Sequence, residues 1–197
     1  MGTGEKLVEA AAALLDQGGE AAVTLRAVAH QVGVSHNTPY RHFTDRAALL
    51  AGVAEKDFAA FSVEFDEIGQ SDRTAIDKVK AALRTFAYYG ESHPARYRLL
   101  FGDPDIAKRG GQLEAVAMTT FASFASLVAG AQAAGYLPAV ATPTMTSLIY
   151  ANLHGLLDLR AGGRMRAEKG FIDVLDSAFL LLDLLRPTMD RASKCAT

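Results

Sequence analysis

The chain of 197 residues has little of what several specialised protein classes need. It has a single cysteine, Cys195, so neither a disulfide nor a cysteine-based metal site can form within one chain, which fits a reducing cytoplasm. Its formal net charge is only −2, so overall charge gives no indication of nucleic-acid binding. The N-terminus has no basic region followed by an apolar run, so the sequence predicts no signal peptide.

Charge is absent over one long segment. Residues 115–157 contain no Asp, Glu, Lys or Arg, a length that would suit a transmembrane helix. The stretch QAAGYLPAVATPTMT interrupts the segment with Gly, two Pro and several polar residues, which favours a pair of buried helices. We therefore expect no membrane-spanning segment.

Motifs of common enzymes are also missing. The sequence has no phosphate-binding loop, no G-x-G-x-x-G, no G-x-S-x-G and no H-E-x-x-H. His30, His36 and His42 are spaced six residues apart, so they do not share one helical face as a ligand pair would. We expect no enzyme activity, no cofactor and no metal site.

What the sequence does contain is helical periodicity along nearly its whole length, with no segment that alternates as a strand does. Thr44 or Asp45 is expected to cap one long helix that ends near residue 70. The other predicted helices cover residues 5–16, 25–31, 36–42, 73–91, 111–134, 143–161 and 171–185, with a short one in RYRLLFGDPD. The fold class is therefore all-α, with a small three-helix N-terminal unit and a larger helical bundle.

Residues 23–50, VTLRAVAHQVGVSHNTPYRHFTDRAALL, are the most informative stretch. Thr24 can cap a first helix, Gly33 can supply a positive φ for a sharp turn, and Ser35 can cap a second helix. The second helix is polar except at its end, which is typical of a helix-turn-helix whose second helix lies in the major groove of DNA. On spacing alone, a polar helical hairpin at the surface is an alternative. Residues 1–50 carry four Lys or Arg against five acids, so charge placement must supply what net charge does not.

This stretch closely resembles the DNA-binding domain of TetR-family transcriptional regulators over about residues 5–53. Two positions depart from the family pattern: Pro39 stands where Leu is usual, and Arg46-Ala47 stands where Lys-Glu is usual. The resemblance rests on Thr24-Leu25-Arg26, Ala29, Gly33-Val34-Ser35, Tyr40, Phe43, and Arg46 with Leu49 and Leu50.

The resemblance implies a role for each residue of a DNA-binding surface. Base-edge contacts are assigned to Arg26, His36, Asn37 and Tyr40. Phosphate contacts are assigned to Thr24, Thr38, His42 and Arg46. Arg41 can serve either role, and Ser35 is placed at the start of the recognition helix.

Two later stretches, FAYYGESHPARYRLLFG and IYANLHGLLDLRAGG, resemble more loosely the C-terminal domain of a TetR subgroup named for a Trp–His–Gly pattern. His154-Gly155 fit that pattern, and Tyr150 stands where the subgroup tends to have Trp. The resemblance implies a ligand-sensing and dimerising bundle. The expected domains are a helix-turn-helix DNA-binding domain at residues 1–50 and a ligand-sensing and dimerisation domain at 51–187, with a polar tail at 188–197.

Aromatic bulk with few formal charges predicts a pocket for an apolar or neutral ligand, although each residue could equally belong to the core. The candidates are Phe58, Phe61, Phe86, Tyr89, Tyr97, Phe101, Met118, Phe121, Phe124, Tyr150 and His154.

The last predicted helix has apolar residues on more than one stripe, so one stripe needs a partner, most simply the same helix of a second subunit. A helix buried wholly within one protomer is the alternative. The candidate interface residues are Leu153, Leu156, Leu175, Phe179 and Leu182.

The sequence therefore predicts a cytoplasmic, ligand-responsive transcriptional repressor. It would bind a palindromic, double-stranded operator as a homodimer and be released by a small apolar or neutral effector. The alternative is a ligand-binding or scaffold protein of the same fold that has lost operator binding. The near-neutral N-terminal unit and Pro39 favour that alternative.

Overall fold

The computed structural model describes residues 1–187, with the side chain of residue 107 left out. The predicted polar tail, residues 188–197 with Cys195, lies outside the described residues. No strand occurs within residues 1–187, so the predicted all-α fold is confirmed. The α-helices are α1 (Thr3–Gly18), α2 (Leu25–Val32), α3 (Arg46–Gln70), α4 (Ala75–Ser92), α5 (Pro94–Gly102), α6 (Pro104–Ala107), α7 (Gly111–Ala133), α8 (Thr142–Ala161) and α9 (Val174–Leu185).

Local signals in the sequence set the ends of the first helices. The Thr24 hydroxyl accepts a hydrogen bond from the Ala27 amide at 3.0 Å and so caps α2. Gly33 ends the same helix with a φ of +75°, a conformation that favours glycine. The Asp45 carboxylate accepts a bond from the Ala48 amide at 2.7 Å, so Asp45 rather than Thr44 caps α3.

Two predicted helices differ from those observed. Residues 36–42 form turns and one short 3-10 helix, Pro39–Arg41, instead of an α-helix. Pro39 has no N–H to donate to the carbonyl of Ser35, which removes the hydrogen bond that an α-helix would need there. The Ser35 hydroxyl lies 3.0 Å from the Thr38 hydroxyl, and no side-chain bond caps the 3-10 helix. The last helix begins at Val174 rather than near 171, because the Asp173 side chain accepts a bond from the Leu175 amide and caps it.

The chain forms two compact units. The first unit comprises residues 1–64 and 88–122, and its core includes Leu7, Leu15, Val28, Leu49 and Leu99. The second unit comprises residues 65–87 and the described part of 123–197, and its core includes Phe65, Leu83, Phe124, Leu153 and Leu182. Helix α3 runs without a break across residue 50. The domain boundary expected at residue 50 stays a prediction.

One helix in the described part of the chain, Gly111–Ala133, is long and apolar enough to cross a membrane by length and composition alone. Core helices of soluble proteins pass the same test. This helix contains most of the N-terminal half of the uncharged segment noted in the sequence.

Candidate functional site

Three of the predicted base-reading residues come together in the first unit. Arg26, near the start of α2, lines a surface cavity of about 300 Å³ together with His36 and Tyr40. Tyr40 is 61 % exposed although it is a large aromatic residue, and Arg26 and His36 are also exposed. Buried Pro39 anchors the turn that presents Tyr40, since it occupies an inward position where the family pattern has Leu. A concave surface with a guanidinium, an imidazole and a phenol can contact base edges and phosphates.

The other predicted residues of this surface lie nearby in sequence but have different environments. Asn37, Arg41 and His42 are exposed, and Ser35 and Thr38 bond to each other through their hydroxyls. The His42 ring lies against Gly4 of α1: a Cβ placed on Gly4 would be 3.4 Å from Nδ1 of His42. Thr24 uses its oxygen as the acceptor that caps α2.

Arg46 is held within the protein. Its Nε donates to the carbonyl of Val23 at 2.7 Å, and its Nη2 donates to the carbonyl of Glu20 at 2.5 Å. The same Nη2 is 3.3 Å from the Glu20 carboxylate. Arg46 therefore fixes the loop before α2 to the start of α3, and its predicted phosphate contact stays a prediction.

All five acids of residues 1–50 form bonds to other groups of the same chain. Each has a partner: Glu5 accepts a bond from the Gly2 amide, Glu9 pairs with Lys56, Asp16 with Arg96 and His93, Glu20 with Arg46, and Asp45 caps α3. None of them lines the cavity formed by Arg26, His36 and Tyr40. The cavity therefore carries the charge of Arg26 without an acid in its lining, although the whole region is near neutral.

His30 was not among the predicted DNA-binding residues, although it lies beside one of them on α2. His30 is exposed and follows Arg26 by four residues, so the two lie one turn apart on the same face of α2. The i, i+4 spacing from Arg26 was the signal that could have identified it.

A buried polar cluster also lies in the first unit, and the sequence did not predict it. Asp57 of α3 is only 5 % exposed, and it accepts hydrogen bonds from Nε of Arg96 at 2.9 Å and from the Tyr89 hydroxyl at 2.6 Å. A second nitrogen of Arg96, Nη2, bonds the other oxygen of Asp57. Arg96 also reaches Asp16 at 3.3 Å, and Nδ1 of His93 is 2.9 Å from Asp16. We call these five residues the Arg96 cluster, and they link α1, α3, α4 and α5.

The chemistry of the Arg96 cluster keeps Asp57 and Arg96 as an ion pair. Burial alone would lower the pKa of Arg96, but the bonds to Asp57 more than offset it and raise that pKa. Burial raises the pKa of the Tyr89 phenol, and the negative charge of Asp57 raises it further. Tyr89 therefore remains a neutral donor. The sequence signal for this cluster was an acid, Asp57, on the inward stripe of α3 between Val53 and Phe61.

The second unit holds an aromatic cluster that includes four of the predicted pocket residues. The Phe86 ring is 6.1 Å from the Phe124 ring and 5.9 Å from the His154 ring, and Tyr150 is 3.9 Å from His154. Phe65 joins the cluster at 5.1 Å from Phe86. Burial lowers the pKa of His154 to about 4 and raises the pKa of Tyr150, so both are neutral at pH 7. We call these five residues the His154 cluster.

The remaining predicted pocket residues lie in the first unit. Phe58 and Tyr97 pack against Phe101 with ring separations of 5.6 and 4.9 Å, and Phe61 packs against Tyr89 at 4.8 Å. Met118 is 61 % exposed, so it belongs to the surface rather than to a buried cluster, and Phe121 is half-buried. The predicted pocket is thus divided between two units.

The residues predicted for the dimer interface differ in burial. Leu153, Leu156 and Leu182 are buried within the protomer, whereas Leu175 and Phe179 are half-buried. The apolar side chains exposed on α8 and α9 are Leu148, Leu180 and Leu184. Lys80 and Arg84 of α4 lie 5.5 and 4.7 Å from the ring centre of Phe179, so this ring has cationic neighbours within its own unit.

Solved structures share the fold of this chain. A protein of unknown function from Rhodococcus sp. RHA1 superposes with a TM-score of 0.78, at 23 % identity and with 94 % of both chains covered. The TetR-family transcriptional repressor FadR of Thermus thermophilus, solved in complex with lauroyl-CoA, superposes with a TM-score of 0.66, at 18 % identity and with 98 % of both chains covered.

A curated relative is similar over part of its length. The nucleoid occlusion factor SlmA of Marinomonas sp. (strain MWYL1) is 29 % identical over 98 residues, which are 50 % of each protein. The chain thus spans about half the length of the curated relatives it matches.

Two family models match the chain. Residues 7–53 match the model for bacterial regulatory proteins of the tetR family, and residues 79–185 match a tetracycline repressor-like C-terminal domain. These matches confirm the family resemblance of the sequence, whereas the Trp–His–Gly subgroup stays a prediction. Since the second model alone covers more than half of the chain, this protein belongs to the TetR family of bacterial regulatory proteins.

Proposed function

We propose that this protein is a transcriptional repressor that binds a palindromic operator as a homodimer. The observation that carries the proposal is the exposed cavity lined by Arg26, His36 and Tyr40, which none of the five acids of residues 1–50 lines. On this proposal Arg26, His36, Asn37 and Tyr40 contact base edges. Thr24, Thr38, Arg41 and His42 contact phosphates, with Ser35 supporting Thr38 through their 3.0 Å contact. We place the protein in the cytoplasm, where its operator would be.

The first test is selection of bound fragments from a random duplex DNA pool at low salt, followed by sequencing. We expect a palindrome with half-sites about one helical turn, or about 10 base pairs, apart. Arg26→Ala and Tyr40→Ala should each remove enrichment of defined bases in both half-sites. Arg73→Ala, at an exposed arginine of the second unit, is the matched control and should leave the palindrome unchanged.

The alternative, a protein of this fold that has lost operator binding, has one observation in its favour. The recognition segment is a single 3-10 turn rather than an α-helix, because Pro39 lies inside it. A folded protein that enriches no sequence from the pool would support this alternative. Replacement Pro39→Leu should then restore enrichment if Pro39 is the cause.

We further propose that the homodimer forms through α8 and α9. Leu184 is 74 % exposed, and Leu148 and Leu180 expose half or more of their side chains. Exposed apolar side chains on two helices that pack together can form an interaction surface. On this proposal the three leucines form the outer layer of the interface and Leu175 and Phe179 its edge, while Leu153, Leu156 and Leu182 support it from within. Leu148→Lys with Leu184→Lys should shift the sedimenting species from dimer to monomer. Val63→Lys, an equally exposed apolar position on α3, should not.

The effector, on the same proposal, is a neutral or apolar molecule bound in the second unit beside the His154 cluster. The low pKa of His154 and the raised pKa of Tyr150 keep both side chains uncharged, so they suit hydrogen bonding to a neutral group. The neutral fluorophore N-phenylnaphthylamine should bind the folded protein, and Phe86→Asp should abolish that binding. Binding of highly charged ligands only would contradict this part of the proposal.

Effector release of DNA requires linkage between two sites. A ligand that releases operator DNA must bind the free protein more tightly than the DNA complex, by the same factor that it weakens DNA binding. Equal affinities of a ligand for both forms would contradict coupling by that ligand. Regulators of this family are generally not enzymes, and we propose no catalytic activity here.

A further inference from the structure

The proposed DNA-binding surface is poor in permanent positive charge. Of the four Lys and Arg in residues 1–50, Arg46 is held by Glu20 and the carbonyl of Val23. Lys6, Arg26 and Arg41 are exposed, but only Arg26 lines the cavity. Lys56, which follows on α3, is paired with Glu9 at 2.8 Å. Phosphate contacts supply most of the affinity of DNA-binding proteins. The permanent positive charge on this surface is therefore small for a DNA-binding protein.

Three histidines occupy the same region. His30, His36 and His42 are three of the five histidines of the chain, and all three are exposed. His36 lines the cavity with Arg26 and Tyr40, His30 follows Arg26 by one turn of α2, and His42 lies against Gly4 of α1. The imidazole is the side chain whose charge ordinarily changes between pH 5 and 8.

No carboxylate competes for these imidazoles. Within residues 1–187, none of the three is within the 4.0 Å distance of an ion pair. The acids of the neighbouring elements are already engaged: Glu5, Glu9 and Asp16 of α1, Glu20 before α2, and Asp45 before α3. Glu9, Asp16 and Glu20 are paired with cations, whereas Glu5 and Asp45 accept bonds from backbone amides and keep their charge. An added phosphate would therefore be the anion that meets an imidazolium on this surface.

We propose that His30, His36 and His42 contact DNA in their protonated form, so that the protein takes up protons when it binds DNA. The inference rests on the proposed DNA-binding function and adds its regulation: affinity rises as pH falls from 7.5 to 6. A nearby phosphate favours the charged imidazole, and binding and protonation are thus linked. One proton taken up on binding changes the binding constant by at most about tenfold per pH unit, so each histidine can strengthen binding by at most about thirtyfold between pH 7.5 and 6.

The experiment measures binding of a short fluorescent duplex of mixed sequence, which needs no knowledge of the operator. Affinity is measured over a salt series at about pH 6 and pH 7.5, where each new phosphate contact should steepen the log–log salt slope by about 0.9. Calorimetry in two buffers of different ionisation enthalpy counts the protons taken up. For the wild-type protein we expect tighter DNA binding and a steeper salt slope at pH 6 than at pH 7.5, and uptake of protons on binding.

Variants separate the three histidines from the rest of the chain. His30→Gln, His36→Gln and His42→Gln combined should remove the pH dependence and the proton uptake. The three Arg replacements at the same positions should bind at pH 7.5 as the wild type binds at pH 6, without pH dependence. His93→Gln, at a histidine paired with Asp16, is the control and should keep the full response. Circular dichroism at both pH values checks that each variant is folded.

The outcomes distinguish the inference from the function on which it rests. DNA binding with no proton uptake, or a pH dependence that survives in the triple Gln variant, overturns the role of the histidines and leaves DNA binding intact. No binding to any duplex at either pH overturns both. A response carried by one histidine alone would also contradict the proposal as a property of all three.

Discussion

The Arg96 cluster and the His154 cluster show two different ways of filling a helical interior. In the Arg96 cluster, Asp57 is buried with its two oxygens bonded by Arg96 and Tyr89. In the His154 cluster, aromatic rings surround an imidazole that burial keeps neutral. A shift of either partner in a buried ion pair leaves a charge unsatisfied, whereas aromatic pairs have more than one favourable arrangement. The first arrangement suits a rigid junction of α1, α3, α4 and α5, and the second suits an adaptable ligand site.

The largest effect should come from breaking the ion pair. Arg96→Met leaves Asp57 buried without its cation, so the free energy of unfolding should fall by about 3–5 kcal/mol. Adding Asp57→Leu removes the uncompensated charge and should recover a large part of the loss. Urea unfolding of the two variants measures both values. If Arg96→Met alone were as stable as the wild type, Asp57 would have to take up a proton or reach water.

A somewhat smaller effect, confined to acidic pH, should mark the His154 cluster. Folded protein keeps His154 neutral down to about pH 4, whereas the unfolded chain protonates it near pH 6.5. Stability from this residue is therefore present above pH 6.5 and is lost as pH falls towards 4, by about 3 kcal/mol at most. His154→Gln should flatten this part of the pH profile, measured by urea unfolding between those pH values. An unchanged difference between variant and wild type across the range would refute the low pKa.

Tyr89→Phe tests the Arg96 cluster more gently. It removes one hydrogen bond to a charged acceptor without removing the ring, so the cost should be about 2 kcal/mol. In an Asp57→Asn background the same replacement should cost clearly less, because the two residues share one bond. A double-mutant cycle by urea unfolding gives the interaction energy. Equal costs in both backgrounds would show that Tyr89 acts through its packing on Phe61 instead.

The smallest expected effect concerns the exposed edge of the first unit. Thr24→Ala removes the cap of α2 and should cost about 1 kcal/mol of stability, whereas Thr24→Asp should keep the cap. If Thr24 also contacts a phosphate, Thr24→Asp should weaken DNA binding although the protein remains as stable as the wild type. Thermal unfolding and duplex binding of the two variants separate the roles. Unaltered DNA binding of the Asp variant would restrict Thr24 to capping.

Much of the first unit could be predicted from local sequence. Thr24, Gly33 and Asp45 act within three or four residues of their partners, so their capping and turn roles can be read along the chain. The recognition segment was the exception. Residues 36–42 were expected to form an α-helix, but Pro39 has no N–H to donate and the segment holds only a 3-10 turn.

The sites were less predictable, because their partners are distant in sequence. Tyr89 was assigned to a ligand pocket on its aromatic character, but its hydroxyl bonds Asp57, which is 32 residues away. Arg96 meets Asp57 across 39 residues and Asp16 across 80. Helical periodicity places residues on a face of their own helix, and it does not say which faces meet.

By itself, the sequence determined the helical elements, their caps and the family, since these depend on periodicity, capping residues and a contiguous motif. Only the tertiary structure decided which charged side chains lie on the proposed DNA-binding surface. The count of five acids and four basic residues does not reveal that Glu9, Asp16 and Glu20 pair with cations. Nor does it reveal that Arg26, Arg41 and the three histidines are exposed. The tertiary structure likewise decided that Leu153 and Leu182 are buried while Leu148 and Leu184 are exposed. Burial and ion pairing depend on how helices pack in three dimensions, and composition does not contain that information.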